Sequence, residues 1–148
     1  MPYQFSLRAL LRIRRIYEQK ERMHLTLLNA SRNRVRREHD ETLKQQAESF
    51  EVLEHRLEQG ISGAEFGLEA SSLQRMVAHR RELAAIIEAL GLQVKKQTAI
   101  YRESQTKRKI LDSLDERQRA EYQRIEDRRE QQRIDDLFAR RQRNGLNG

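Results

Sequence analysis

Side chains suited to catalysis or metal binding are sparse in this chain. The four histidines, His24, His39, His55 and His79, show neither an HExxH motif nor an i,i+4 pair. They read as seam or surface residues rather than zinc ligands. There is no cysteine, which removes thiolate nucleophiles, thiolate metal sites and disulfides. No GxxxxGK[ST] loop offers a nucleotide site. What remains is arginine chemistry. The opening FSLRALLRIRR sets Arg8, Arg12, Arg14 and Arg15 between Phe5, Leu7, Leu10, Leu11 and Ile13, with no acid before Glu18. Cations threaded through apolar residues suit docking on an acidic surface, so the expectation is a protein that binds others, with no small-molecule substrate and no cofactor.

Charge is distributed unevenly along the 148 residues. Residues 1–37 carry a net +8, residues 38–101 carry −4 and residues 102–148 carry +3. A strongly basic region points to an acidic partner. Nucleic acid is one such partner, and the sequence pI of about 10.1 fits that footprint. Acids interleave with the arginines along most of the chain, however, and aromatic residues make up only 5%. Nucleic acid is therefore the second reading and an anonymous coiled-coil scaffold the third.

These side chains must be held by helices. The chain is 36% charged, and neither Gly nor Pro occurs between Pro2 and Gly60. A globular domain needs turn residues far more often. From Leu7 through Leu10, Leu25, Leu28, Val35, Leu43, Phe50 and Leu53 to Leu57, one stripe advances in steps of three and four, with some polar members. That predicts a helix over about 5–59. Gly60, Gly63 and Gly67 then mark a turn or elbow over about 60–70. There Gly60 ends the first helix and Ser62 with Glu65 forms a capping box for the next. Leu73, Arg80, Ile87, Val94 and Tyr101, with Met76, Leu83, Leu90 and Gln97, continue as heptad rows. The second helix is expected over about 71–143.

The fold class expected is all-α: a single-domain, two-helix antiparallel coiled-coil hairpin. A turn centred near Gly63 would set Phe50 against Met76, Leu43 against Leu83 and Leu25 against Tyr101. About twenty residues of the second helix would then overhang the N-terminus. Pairs such as Asp115–Arg119, Glu121–Arg124, Glu126–Arg129, Glu130–Arg133 and Asp136–Arg140 would support that overhang. The hairpin brings the +8 and +3 segments to one end, so FSLRALLRIRR becomes half of a basic docking end. In that end Phe5, Leu7, Leu10 and Leu11 face the second helix. No apolar run reaches the ~18 residues of a membrane span. Arg8 and Arg12 interrupt the one stretch that resembles a secretory core. A cytoplasmic location is expected, although an Arg-rich, acid-poor start is also compatible with an organelle presequence.

The run FSLRALLRIR followed by Glu18 resembles the N-terminal F-x-L-x-x-L-L-x-x-R…E pattern of the flagellar export FliJ family. RAEYQRIEDRREQQRIDDLFARR resembles that family's charged C-terminal helix. Virulence type III secretion stalk proteins look similar. The resemblance implies a non-enzymatic coupling rod, similar to the central stalk of rotary ATPases and peripheral at the inner-membrane export apparatus. Its terminal end would enter the hexameric export ATPase, here through Arg8, Arg12, Arg15, Arg124, Arg128, Leu137 and Phe138. The turn-proximal region would contact the cytoplasmic domain of the export gate and, in some members, export chaperones. Leu43, Gln46 and Phe50, then Leu73, Met76 and His79, match the gate-contact row, with Gln46 standing where an aromatic is common. The alternative for each of these six is plain seam packing.

Overall fold

The computed structural model describes residues 2–146. Two helices account for nearly all of them: α1, Arg8–Gln59, and α2, Gly63–Leu146. Among the described residues there is no strand. The chain reverses through residues 60–62, and α2 packs antiparallel on α1 as the periodicity predicts.

The turn follows from three residues. Gly60 has a φ of +87°, a left-handed conformation that a β-carbon disfavours, and its N–H donates to the Leu57 carbonyl at 3.3 Å. The Ser62 hydroxyl accepts from the Glu65 N–H at 3.2 Å, and the Ser62 carbonyl accepts from the Phe66 N–H at 3.0 Å. Ser62 is thus the N-cap of α2, as the capping-box reading requires.

The helix bounds differ from those expected. α2 starts at Gly63 rather than near residue 71, because once Ser62 caps the first turn nothing as far as Gly67 stops propagation. The connection shrinks to three residues centred on Ile61. That moves the facing register on α2 by about one turn relative to a turn centred on Gly63. At its far end α2 runs through Asn144 and Gly145 to Leu146. α1 begins at Arg8, three residues later than expected, because residues 2–7 form a non-helical lead.

The chain divides into two compact units, Met1–Gln19 with Glu103–Gly148, and Lys20–Arg102. In the terminal unit Phe5, Leu11 and Leu111 form a small buried cluster, with Tyr3 and Leu114 packed against it. Leu7 and Leu10 stay partly exposed, so only part of the expected apolar face is covered.

In the turn unit Leu53 and Leu83 are buried, together with two polar side chains, Thr42 and Gln97. Each polar group is satisfied locally. The Thr42 hydroxyl donates to the Glu38 carbonyl at 2.9 Å. The Gln97 amide donates to the Glu21 carbonyl at 3.1 Å and also to the Glu21 carboxylate. A buried amide bound across the seam fixes register, since sliding either helix would leave it unpaired. The expected placement of Phe50 in the seam is corrected: it is 59% exposed, while Leu53, three residues on, is 6% exposed. Leu43 is likewise exposed.

Candidate functional site

Binding chemistry in the terminal unit begins with an ionic clasp. Arg108 on α2 donates to both carboxylate oxygens of Glu18 on α1, at 2.6 and 3.1 Å, and to Asp112 one turn along at 2.8 Å. Arg15 adds a 3.0 Å bond to the other oxygen of Asp112. The Arg108 guanidinium holds both carboxyls below the usual carboxylate range, with Arg15 contributing at Asp112. The same carboxylates raise the pKa of Arg108. Below the clasp, the Tyr3 hydroxyl donates to the Asp115 carboxylate at 2.6 Å, and its ring lies 5.6 Å from that of Tyr122. The Arg119 guanidinium sits 5.2 Å from the Tyr3 ring centre. Partial burial and Asp115 push the Tyr3 hydroxyl pKa up.

The seven residues expected at the ATPase-facing end have different fates. Arg15 is engaged in the clasp and Arg124 is paired with Glu121. Arg8, Arg12 and Arg128 are exposed and make no ion pair among the described residues. Leu137 and Phe138 are 60% and 65% exposed. Every described residue from Asp127 to Leu146 is exposed. Twenty residues of α2, about 30 Å at 1.5 Å per residue, therefore continue as bare helix. Ile134, Leu137 and Phe138 share one face of it at i, i+3 and i+4. Of the supporting pairs expected, Asp115–Arg119, Glu121–Arg124, Glu126–Arg129 and Glu130–Arg133 form.

In the turn unit, a shallow groove runs between the helices. One lobe of about 460 Å³ is lined by Phe50, Leu53, Leu57, Phe66, Ala70 and Leu73, among others. A second, of about 380 Å³, shares Phe50, Leu73 and Gln74 and continues past Gln46 and Val77 to Arg81. Phe50 stands between the lobes. Of the six gate-face residues, Gln46, Phe50 and Leu73 line this groove. Leu43 is exposed three positions before Gln46 on the same helical face. Met76 is half-buried and lines neither lobe. His79 instead approaches the Glu38 carboxylate at 3.3 Å. Among the described residues no group of three His, Cys, Asp or Glu side chains is placed to hold a metal ion.

A basic, partly bare helical end and an apolar groove near the turn are the features of this hairpin. A family model described as "Flagellar FliJ protein" matches residues 3–147. The chain belongs to the FliJ family. No curated protein and no solved structure matches it. As a FliJ family member it has a role in flagellar protein export, in a family that is a structural component of the export apparatus. Among the described residues no helix is long and apolar enough to cross a membrane.

The sequence placed Phe5 against the second helix, as found, but missed two elements of the terminal unit. One is Tyr3, with its contacts to Asp115, Arg119 and Tyr122. The other is the cross-helix clasp on Glu18, whose only signal was an acid placed opposite a heptad-row arginine.

Proposed function

We propose that this FliJ family member couples the export ATPase to the export gate. The terminal unit docks into the hexameric ATPase, and the groove of the turn unit meets the gate's cytoplasmic domain. The observation that carries the ATPase half is the bare segment 127–146, which offers Ile134, Leu137 and Phe138 to solvent on an otherwise polar helix. Such a helix gains little from i,i+3 ion pairs, about 0.2–0.5 kcal/mol each. Its apolar face is covered only in a complex. Arg8, Arg12 and Arg128 speed encounter with an acidic surface, an effect that weakens with salt. Gln46, Phe50 and Leu73 support the gate half, with Leu43 extending their face.

ATPase stimulation tests the terminal half. Leu137→Ala with Phe138→Ala is expected to abolish it with helicity retained. Arg12→Glu with Arg128→Glu is expected to reduce it most at low salt. Full stimulation by both variants would sink the ATPase half. Binding of duplex DNA with a steep salt dependence, alongside full stimulation, would favour the nucleic-acid reading instead.

A further inference from the structure

The groove of the turn unit carries a statement about what fills it, one that rests on its being the gate-facing surface. Its α2 wall runs from Phe66 to Arg81, on the order of 22 Å at 1.5 Å per residue. That is about four turns of an α-helix. Its floor is apolar, and Phe50 and Leu57 are substantially exposed along it. On the α1 side Glu54 lines the groove, and Glu51 and Glu58, three before it and four after it, stand beside it on the outer flank of that helix, all exposed. None of the three has a cationic partner among the described residues. The neighbouring Arg56 is held instead by Glu69 at 3.0 Å. The groove is asymmetric in charge: Glu54 lines it on α1, flanked by Glu51 and Glu58, and Arg81 lines it on α2. A neutral apolar peptide would leave the carboxylates unanswered, and an acidic helix would be repelled.

We infer that the groove receives a single amphipathic α-helix of about four turns from the gate protein. Its apolar stripe lies on Phe50, Leu57 and Leu73, and lysines or arginines on one flank meet Glu51, Glu54 and Glu58. The partner packs as a third helix against the hairpin, by the helix-in-groove mode in which apolar anchors recur at i, i+3 or i+4 and i+7. A second copy of this chain is the competing occupant, since residues 127–146 are themselves an exposed, arginine-rich helix with one apolar face, and the dependence on protein concentration tested below separates the two.

The chain contains no Trp, so Phe50→Trp in the full-length protein places a single reporter in the groove. The probe is a synthetic helical peptide of about sixteen residues with leucines at heptad a and d positions and lysines on its flanks. Its twin carries glutamates in place of the lysines. The lysine peptide is expected to shift Trp emission to the blue and to bind about tenfold more tightly than its twin. In Glu51→Lys/Glu54→Lys/Glu58→Lys the preference should invert. Equal binding of both peptides, binding of neither, or a preference that survives the triple reversal overturns the inference. So does an emission shift that follows the protein's own concentration without peptide, which would mean a second copy fills the groove. The isolated cytoplasmic domain of the gate is titrated in parallel. If it shifts the Trp signal and the lysine peptide does not, gate contact stands and the basic helix falls. If the peptide binds and the gate domain does not, the assignment of the partner falls while the groove's preference stands.

Discussion

Individual side chains decide whether the terminal unit holds together, and the Arg108 clasp is its strongest polar contact. Bonds to charged groups contribute about 1.5–3 kcal/mol where partly shielded, whereas the exposed Arg15 arm contributes about 0–1 kcal/mol. Glu18 and Asp112 have folded-state pKa values below their unfolded ones. Their contribution is therefore complete above the unfolded values, near 4, and disappears as pH falls through the lower folded values. The melting temperature should hold from pH 7 to about 5 and decline below about 4. Arg108→Met should be less stable at pH 7 by about 1–3 kcal/mol and should lose most of that acid slope. Parallel acid curves for the two proteins would contradict the clasp. In the turn unit the contrast is apolar. Leu53→Ala should cost about 2–5 kcal/mol, while Phe50→Ala, at an exposed position, should cost well under 1.5 kcal/mol in urea unfolding. The sequence stripe could not separate these two. Both lie on the α1 stripe, only about 60° apart around the helix axis, and it is the packing of the two helices that puts Leu53 on the buried side. Tyr3 was similarly hard to place, since the helical period does not extend into a non-helical lead.

Helices and the turn between them were the most legible level. Absence of Gly and Pro between Pro2 and Gly60 defined α1, and Ser62 with Glu65 marked the cap where the structure has it. The length of the elbow was not legible, because Gly63 and Gly67 look like breakers in sequence, yet Gly63 opens α2 and Gly67 lies inside it at a cost of about 1 kcal/mol relative to Ala without ending the helix. Gly60 and Gly91 show how differently two glycines behave. At Gly60 the positive φ penalises any β-carbon, so Gly60→Ala should lower stability by about 1 kcal/mol. At Gly91 an added β-carbon would meet only the Arg32 guanidinium, at 3.5 Å, an ordinary van der Waals distance. Gly91→Ala should therefore raise stability by up to about 1 kcal/mol. Thermal melts with opposite signs at these two positions check the assignment, and destabilisation at Gly91 would reveal a tighter helix approach there.

At the scale of the whole molecule, the sequence indicated a hairpin with a basic terminal end, and FliJ family membership over residues 3–147 gives that architecture its place in flagellar protein export. Which cations are available to a partner was only partly legible in the sequence. Arg124 was paired with Glu121 already in the sequence, but Arg15 looked equivalent to Arg12 until its partner Asp112, across the hairpin, was located. The bare end of α2 is proposed above as the ATPase-docking element. Amide hydrogen exchange of the full chain, with and without the hexameric ATPase, tests it most directly. Alone, residues 127–146 should exchange quickly, since few tertiary contacts oppose local opening. With the ATPase present, protection should rise there, centred on Ile134 to Phe138, while Leu53 and Leu83 in the turn unit change little. Unchanged exchange across 127–146 in a demonstrated complex, or protection confined to the turn unit, would contradict the claim.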